Sequence, residues 1–394
     1  MKDGWEVRPL GEVATVVNGG TPKSAVGEYW NGGVPWITPK DMGGLSSPMV
    51  SETPRTISEA GLANCSARLV PPASIIMSTR APIGYLAINE RPMAFNQGCL
   101  GIVPLPVLDT HYARYFLEGS RQALHDLGTG ATFPELSASA LKAFPIPLPP
   151  LEEQRRIVAV LDEAFEGLAR ARANIEANLA DAEEVFERRL DATFDTLAQG
   201  APARALGDLG EVQTGSTPAT RRPELYGGAL AFVKPGDFRV DGTLDYGGAS
   251  LSDAGRAMAR VVAPGSVAMV CIGATIGKVG YTEREVATNQ QINTLTPSEA
   301  DAEFLHYQMR TKMFQAAVRS QAGQATLPII NKSKWSSLRV HVPEDIESQR
   351  NIAAELRELR STLAEYQRGA DYQLADLDAL RQSLLARAFR GELT

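Results

Sequence analysis

The stretch "PLPPLEEQRRI" (residues 147–157) contains three prolines, an acidic pair and a glutamine, and a long charged segment without proline follows it. Almost two hundred residues later, "HVPEDIESQRNI" (341–352) repeats this junction with one proline in place of three. Proline cannot continue a helix backwards, and acidic side chains in a first turn favour the helix dipole. Each stretch therefore predicts the start of a long helix, and the repeat predicts a duplicated chain.

Self-comparison finds the same motifs in the same order in both halves of the 394 residues. The offset between matching positions stays between 193 and 196 residues, which indicates one tandem duplication and not a short-period solenoid. The clearest matches are "LGEVATVVNGGTP" (10–22) with "LGDLGEVQTGSTP" (206–218), Asn96-Gln97 with Asn289-Gln290, "GATFPEL" (130–136) with "QATLPII" (324–330), and Gln154-Arg155 with Gln349-Arg350. The middle segments, 43–68 and 239–260, align poorly.

The charged segments carry apolar residues at steps of three and four, which is near-heptad spacing. Each predicted helix is roughly 69 Å long at ~1.5 Å per residue, and a helix this polar needs a partner for its apolar stripe. The second stripe runs through Ile352, Leu356, Leu359, Leu363, Tyr366, Ala370, Leu374, Leu377, Leu380 and Leu384. We expect the two helices to pair with each other through Leu161, Leu168, Ile175, Leu179, Phe186, Leu356, Leu363, Leu377 and Leu384.

Short apolar runs such as "SIIMS" (74–78) and "SVAMV" (266–270) predict buried strands in the globular parts. Residues 112–127 and 302–320 each predict one amphipathic helix. The fold class is therefore α+β, with two tandemly duplicated α/β domains and two long helices. The predicted boundaries are 1–150 and 200–343 for the domains, and 151–199 and 344–394 for the helices.

Charge is distributed unevenly along the chain, whose net charge is −7. Residues 151–199 hold 12 acidic and 6 basic side chains, and residues 344–394 hold 10 and 7. The remainder holds 24 acidic and 26 basic side chains, so it is slightly basic. This pattern makes the helices poor candidates for lying on DNA phosphates, and it supports DNA binding by the globular parts only weakly.

Composition excludes several classes of protein. Hydrophobic residues make up 44% and charged residues 22%, as in globular proteins, and we expect no signal peptide and no membrane span. The three cysteines form no CxxC and the four histidines are scattered, so we expect no disulfide framework, no metal site and a cytoplasmic location. We also expect no bound cofactor.

Catalytic motifs are weak or missing. "GATIGKVG" (273–280) resembles a phosphate loop, but its first glycine is one position too close and valine follows the lysine. The only tandem prolines, 71–72 and 149–150, lack the flanking residues of a DNA methyltransferase motif. We therefore expect that the chain is not an enzyme.

Taken together, the duplicated layout, the two junctions, "GGTPKS" with "GVPWITPKDM", "GTGATFPEL", "NQG" with "NQQ", and the closing "ARAFRGEL" resemble the specificity subunit of type I restriction–modification systems. The resemblance covers essentially the whole chain. It implies two target recognition domains, each reading one half of a split double-stranded DNA sequence. It also implies that the helices pair as an antiparallel coiled coil, set the spacing between the domains and dock methyltransferase subunits.

The same resemblance implies a division of labour among subunits. Two modification subunits would transfer methyl groups from S-adenosylmethionine, and restriction or translocase subunits would cleave DNA where they exist. A coiled-coil scaffold whose globular ends bind proteins is the alternative, because it would share every feature of the helices.

Candidate DNA-contacting side chains lie in matching loops, and for each group a purely structural role stays open. "TPKS" (21–24) and "TPATRR" (217–222) supply hydroxyls and cations suited to phosphate contacts. Strand ends and the last loops of each domain supply others, although Ser137 and Ser139 are ordinary helix caps. The candidates are Thr21, Lys23, Lys40, Arg80, Tyr85, Thr129 and Thr132 in the first half, and Thr217, Arg221, Arg222, Lys234, Lys278, Gln324, Thr326, Asn331 and Lys332 in the second.

The pairs Asn96-Gln97 and Asn289-Gln290 allow two interpretations. Asn and Gln can hydrogen-bond adenine through two atoms in the major groove. A base-reading pair should differ between halves that read different sequences, so their presence in both halves favours a structural role.

Overall fold

The computed structural model describes residues 4–80, 82–130, 134–323 and 327–393. The chain divides into two compact units. Unit 1 comprises the residues up to Ile175 together with those from Tyr372 onwards, and unit 2 comprises Glu176–Asp371. Each unit thus contains one globular part and one portion of each long helix, whereas the sequence boundaries treated the helices as separate segments.

Unit 1 is built on a five-stranded and a three-stranded sheet. Its strands are β1 (Glu6–Pro9), β2 (Ala14–Asn18), β3 (Trp30–Ile37), β4 (Met49–Val50), β5 (Thr56–Ile57), β6 (Ile75–Thr79), β7 (Ile83–Asn89), β8 (Ala94–Phe95), β9 (Cys99–Pro104) and β10 (Pro145–Leu148). Its helices are α1 (Leu10–Val13), α2 (Pro39–Met42), α3 (Glu59–Ala63), α4 (Thr110–Gly119), α5 (Arg121–Asp126), α6 (Ala138–Ala143) and the first part of α7 (Leu151–Leu197), with a 3-10 turn at Gly27–Tyr29. The sheet orders are β2-β9-β6-β7-β4 and β5-β3-β8, and β1 pairs with β10.

Unit 2 repeats this plan. Its strands are β11 (Ala203–Ala205), β12 (Gly210–Thr214), β13 (Tyr226–Val233), β14 (Ser250–Leu251), β15 (Val261–Val262), β16 (Val267–Val270), β17 (Val279–Tyr281), β18 (Val286–Thr288), β19 (Ile292–Pro297) and β20 (Arg339–His341). Its helices are α8 (Asp253–Met258), α9 (Ala302–Arg310), α10 (Lys312–Ala322), α11 (Lys332–Ser336) and most of α12 (Ile346–Ala388), with 3-10 turns at Leu206–Asp208, Pro223–Leu225 and Pro235–Asp237. The sheet orders are β12-β19-β16-β17 and β14-β13-β18-β15, and β11 pairs with β20.

The two units share a parallel strand pair in the sheet that contains β3 or β13. β3 runs parallel to β8, and β13 runs parallel to β18. Unit 1 adds β4 to its larger sheet, and β4 comes from residues 43–68, the segment that aligns poorly with its counterpart. The duplicated α+β fold predicted from the sequence is confirmed. Unit 2 in turn adds β15 to the sheet of β13, just beyond the poorly aligned residues 239–260.

Each predicted amphipathic helix of the globular parts is in fact two helices. The break in the first half lies at Ser120 between α4 and α5. In the second half, Thr311 leaves the helical conformation with ψ of 152° and accepts a hydrogen bond from the Phe314 amide, so it caps α10. A threonine side chain offers the backbone such a local alternative to continuing the helix. Apolar periodicity runs across both breaks, which is why it does not reveal them.

Both junctions are closed by the glutamine that the sequence repeats. Gln154 is fully buried, accepts a hydrogen bond from the Asp109 amide at 2.8 Å, and donates to the Val107 and Pro149 carbonyls, each at 2.9 Å. Gln349 accepts from the Asp301 amide at 2.8 Å and donates to the Pro343 carbonyl at 2.8 Å. Each glutamine thereby ties the first turn of a long helix to the residue that caps α4 or α9.

Within each unit the portions of α7 and α12 run antiparallel. In unit 1, Arg172 bonds to Asp378 at 2.5 Å, and Leu161 and Leu168 join a core with Leu384, Leu385 and Ala388. In unit 2, Gln367 donates to Glu183 at 3.1 Å and Arg189 pairs with Glu355. Phe186, Leu356 and Leu363 are buried there, while Leu359 and Tyr366 of the predicted stripe are exposed. The remaining predicted pairing residues, Ile175, Leu179 and Leu377, are half-buried.

Among the described residues, no helix combines the length and the apolar character that crossing a membrane requires.

Candidate functional site

The loop after β2 and the turn after β8 pack together in unit 1. The Gly20 amide donates to the Phe95 carbonyl at 2.9 Å, and a Cβ on Gly19 would lie 2.0 Å from the Asn96 carbonyl oxygen. Only glycine permits this approach. At the surface of the contact, the Thr21 hydroxyl donates to Oε1 of Gln97. We call this loop and turn the two-loop platform of unit 1, residues 18–23 and 96–98.

Unit 2 contains the same platform in residues 214–219 and 289–291. The Ser216 amide donates to the Thr288 carbonyl at 2.8 Å, and a Cβ on Gly215 would lie 2.2 Å from the Asn289 carbonyl oxygen. The Thr217 hydroxyl donates to Oε1 of Gln290 at 2.5 Å. The two candidate threonines thus make the same contact in both units.

The Asn-Gln pairs separate into a structural residue and an exposed one. Asn96 Oδ1 accepts the Gly98 amide at 3.0 Å, and Asn289 Oδ1 accepts the Gln291 amide at 3.1 Å. These bonds shape the turn, as the structural interpretation predicts. Gln97 and Gln290 are exposed instead. The sequence treats each pair as one motif, so it does not reveal this division.

The candidate cations of unit 1 differ in exposure. Lys23 and Lys40 are exposed, and Lys40 lies in α2, which Thr38 and Asp41 cap. Arg80 is half-buried, with its guanidinium 3.9 Å from the Glu135 carboxylate. Tyr85 is half-buried in β7 and covers Gly43, where a Cβ would lie 3.1 Å from its ring. Lys23 and Lys40 are therefore the better placed of these four for a ligand in solvent.

In unit 2, Arg221 is exposed and makes no ion pair with any described residue, whereas Arg222 bonds to Glu224 at 2.7 Å. The Lys234 ammonium lies 5.6 Å from the centre of the Phe232 ring. Lys278 is half-buried and donates to the Phe238 carbonyl at 3.1 Å. This contact favours a structural role for the "GATIGKVG" turn. Arg221 and Lys234 thus remain the more available cations.

The last loop of each globular part has a mainly structural conformation where it is described. The Thr129 and Glu135 backbones pair at 3.0 Å in both directions, and Asn331 caps α11 by accepting the Lys334 amide at 2.9 Å. Lys332 is exposed. Thr132, Gln324 and Thr326 lie outside the described residues.

Two arginines that the candidate set omits lie beside the platforms. Arg260 donates from Nη1 to the Thr214 carbonyl at 2.7 Å. Arg68 is exposed and follows Ala67, whose amide would lie 2.2 Å from a Cβ on Gly20. Arg68 and Arg260 lie 192 positions apart in the poorly aligned region, so the sequence comparison does not pair them.

Clusters of metal-binding side chains are not found in the described ranges. There, no three His, Cys, Asp or Glu side chains come together in a way that could hold a metal ion. Burial raises the pKa of both Cys99 and Cys271 to about 12, so these thiols are not ionised at neutral pH.

An apolar groove lies between α7 and α12 within unit 2. Its volume is about 650 Å³, and its lining residues include Ala182, Val185, Phe186, Leu359, Leu363 and Tyr366. Val185 is 57% exposed. Exposed apolar side chains gathered in one place are typical of a surface that binds another protein.

Comparison with known proteins agrees with the duplicated layout. The family model described as "Type I restriction modification DNA specificity domain" matches the chain twice, over residues 2–178 and 202–369. The chain belongs to this family. The resemblance stated from the sequence motifs is thereby confirmed.

One curated relative is the type I restriction enzyme MjaIX specificity subunit of Methanocaldococcus jannaschii. It is 32% identical over 249 residues, which cover 58% of this chain and 57% of that protein. The chain thus matches little more than half the length of this relative. Relatives of this kind are named as specificity subunits, in agreement with the expectation of a non-catalytic role.

Two solved structures show the same fold. One, from work on complex assembly and conformational transition of the type I R-M system, aligns with a TM-score of 0.77 and covers 100% of this chain and 99% of that one. The other is the HsdS subunit from Thermoanaerobacter tengcongensis, with a TM-score of 0.56, covering 100% and 98%. Both are 20% identical to this chain, so they support the fold alone.

Proposed function

We propose that this specificity subunit recognises a two-part double-stranded DNA target, with one globular part contacting each half-site. The observation that carries this proposal is the recurrence of the two-loop platform beside segments that differ, 43–68 and 239–260. A shared platform next to divergent segments suits two domains that hold the same kind of ligand but read different sequences. Contacts to the DNA backbone position a protein, and contacts to base edges specify the sequence.

The long helices have a different role in this proposal. They dock the methyltransferase subunits, two in number, and the apolar groove of unit 2 offers one surface for such a partner. Their excess of acidic side chains disfavours contact with DNA phosphates. Restriction or translocase subunits are further partners where the system includes them, and S-adenosylmethionine is bound by the methyltransferase subunits.

The helices also set the number of unread base pairs between the half-sites. α7 has 47 residues, which is roughly 70 Å at 1.5 Å per residue. In this proposal the number of unread base pairs is therefore set by the protein and not by the DNA sequence between the half-sites.

The test is methylation sequencing of a host that has no other DNA methylation and that expresses the chain with its methyltransferase subunit. We expect one two-part motif. Replacing residues 1–150 with the corresponding part of another family member should change one half of this motif and leave the other half and the spacing intact. The matched control replaces residues 200–343 and should change the other half.

A hybrid in which both halves of the motif change together would contradict the assignment of one half-site to each domain. A wild-type complex that methylates no two-part motif and shows no salt-dependent binding to DNA would favour the scaffold alternative, since contacts to DNA phosphates weaken steeply as salt is raised.

A further inference from the structure

We propose that Gln97 and Gln290 donate hydrogen bonds to DNA backbone phosphates, one in each unit, and that Thr21 and Thr217 hold them in position for this contact. The inference rests on the proposed function and assigns a ligand to the two-loop platforms. It concerns anchoring, which is independent of sequence, and not the reading of bases.

The contact recurs although its partners are far apart in sequence. Thr21 and Gln97 are separated by 76 residues, and Thr217 and Gln290 by 73. In both units the hydroxyl is the donor and Oε1 is the acceptor, and the four residues are exposed. Two independent loops therefore meet in the same way in each copy.

Stability does not explain why both units keep this contact. Water competes for an exposed hydrogen bond between two side chains, so its net contribution to folding is modest. The platform is already held by the close approach of the glycines, by backbone hydrogen bonds and by the part-buried hydrogen bonds of Asn96 and Asn289. The fold does not require glutamine at these two exposed positions.

The direction of the hydrogen bond decides what the glutamine offers to a ligand. Because Oε1 accepts the threonine proton, the amide group is oriented and the two Nε2 hydrogens remain as surface donors. A phosphate oxygen accepts such donors. Reading adenine needs Oε1 and Nε2 to face the base edge together, and the threonine engages Oε1.

The distribution of the pair points to the same ligand. A residue that reads bases should differ between domains that read different half-sites, whereas a phosphate contact is useful for every sequence. Basic side chains adjoin both platforms. Lys23 belongs to that of unit 1 and Arg68 follows Ala67, which packs against Gly20, while Arg260 bonds to the Thr214 carbonyl in unit 2.

The experiment uses the complex of the full chain with its methyltransferase subunits and double-stranded oligonucleotides with and without the methylated motif. Gln97→Glu and Gln290→Glu retain an oxygen that accepts the threonine hydroxyl but replace the donor with a negative charge. We expect Kd to rise about tenfold or more in each variant, on both oligonucleotides, because the lost contact is a hydrogen bond to a charged group. Gln199→Glu, an exposed glutamine just beyond α7, is the matched control and should change Kd little.

A second pair of variants tests the role of the threonines. Thr21→Val and Thr217→Val keep the side-chain shape and the surface donor but free the amide to rotate, so we expect a smaller rise in Kd, on the order of twofold to fivefold. Thermal unfolding of each variant checks that the platform remains folded.

The outcomes separate this inference from the proposed function. If the wild-type complex binds the motif but both glutamate variants bind like Gln199→Glu, the phosphate contact is wrong and half-site recognition stands. If either variant changes the methylated motif instead of weakening binding to all DNA, the glutamine reads bases, which also overturns the inference. A wild-type complex that does not bind DNA removes the proposed function itself.

Discussion

The two units attach their globular parts to the long helices at equivalent positions but with different side chains. In unit 1, Glu118 at the end of α4 accepts hydrogen bonds from Arg114 at 3.0 Å and from Arg381 of α12 at 2.6 Å. The equivalent position at the end of α9 is Arg310, which donates to the Asp241 carbonyl at 2.7 Å and lies 3.7 Å from Glu187 of α7. The position that is acidic in unit 1 is therefore basic in unit 2.

The helices show the same exchange. In unit 1 the Arg381 guanidinium stacks on the Phe165 ring at 3.7 Å, and in unit 2 the Arg360 guanidinium lies 5.4 Å from the Phe186 ring. Phe165 and Arg360 are both 11 residues after their junction glutamine, and Phe186 and Arg381 are both 32 residues after it. α7 thus supplies phenylalanine at both positions and α12 supplies arginine at both.

The Arg–Phe contact therefore lies at equivalent positions in both units, while α7 and α12 are complementary to each other. A second copy of α7 in place of α12 would set phenylalanine against phenylalanine and leave Glu118 without Arg381. Cation–π contacts contribute about 0.5–2 kcal/mol each, and a partly buried acid without its cation costs more. Each helix is therefore suited to the other and not to its own copy.

Among these attachment residues, we expect substitution of Glu118 to destabilise its unit the most. Its side chain and that of Arg114 are only 14% and 10% exposed, so Glu118→Ala leaves two partly desolvated cations without their acid. We expect the free energy of opening α4 to fall by about 2–3 kcal/mol. Hydrogen–deuterium exchange of the α4 amides in the full chain measures this loss.

Glu187→Ala is the control in unit 2. Glu187 is 44% exposed and Arg310 keeps its backbone carbonyl partner, so the α9 amides should lose less than about 1 kcal/mol of protection. Equal losses in α4 and α9 would show that the two attachments do not differ in the way that their charges indicate.

The hydrogen bonds of the junction glutamines are the part of the attachment that both units share. Gln154→Ala leaves the Asp109 amide and two carbonyls without their partner in a buried site, and Gln349→Ala leaves the Asp301 amide and one carbonyl. We expect losses of about 2–3 kcal/mol for Gln154→Ala and about 2 kcal/mol for Gln349→Ala. Urea unfolding followed by circular dichroism measures both.

The exposed Gln373 of α12 provides the reference substitution, and Gln373→Ala should stay within about 0.5 kcal/mol of the wild type. If the free energy of unfolding fell no more for Gln154→Ala than for Gln373→Ala, the repeated glutamine would not hold the junction together. A larger loss for Gln349→Ala than for Gln154→Ala would reverse the order that the number of hydrogen bonds predicts.

Features that repeat along the chain could be predicted from the sequence. The offset of the matching motifs identifies the duplication, and the prolines before Gln154 and Gln349 mark the start of both long helices. These are local signals, and a proline or a steady spacing of apolar residues acts through the backbone of its own segment. The strands at 74–78 and 266–270 belong to the same class.

Contacts between distant segments could not be predicted in this way. Thr21 and Gln97 are each visible as repeated residues, but nothing in the sequence states that they meet. The Arg–Phe contacts cannot be found by aligning the two halves. The alignment pairs residues at the same distance from each junction, whereas the antiparallel helices bring the early turns of one into contact with the late turns of the other. The exact buried face also shifts, since Leu385 is fully buried while Leu384 is half-buried. A straight helix of 3.6 residues per turn drifts from a heptad pattern over this length.

The two units should also differ in their sensitivity to acid, which should be stronger in unit 2. His306 of α9 is buried, and burial together with the nearby Arg310 lowers its pKa to about 3, partly offset by Asp241. The equivalent position of α4 holds Arg114 and not a histidine. As the pH falls below about 6.5, the unfolded chain gains a proton at this histidine that folded unit 2 excludes, so unit 2 loses stability, by about 2 kcal/mol at pH 5.

Urea unfolding at pH 7 and pH 5 tests this difference with His306→Gln and with His111→Gln, an exposed histidine of α4, as the control. The His306→Gln chain should lose about 2 kcal/mol less than the wild type between the two pH values, and the His111→Gln chain should behave like the wild type. Nδ1 of His306 has no hydrogen-bond partner among the described residues, so the substitution at pH 7 breaks no bond at that atom. Identical pH dependence in all three chains would mean that His306 accepts a proton in the folded state, and unit 2 would then be no more acid-sensitive than unit 1 on account of this residue.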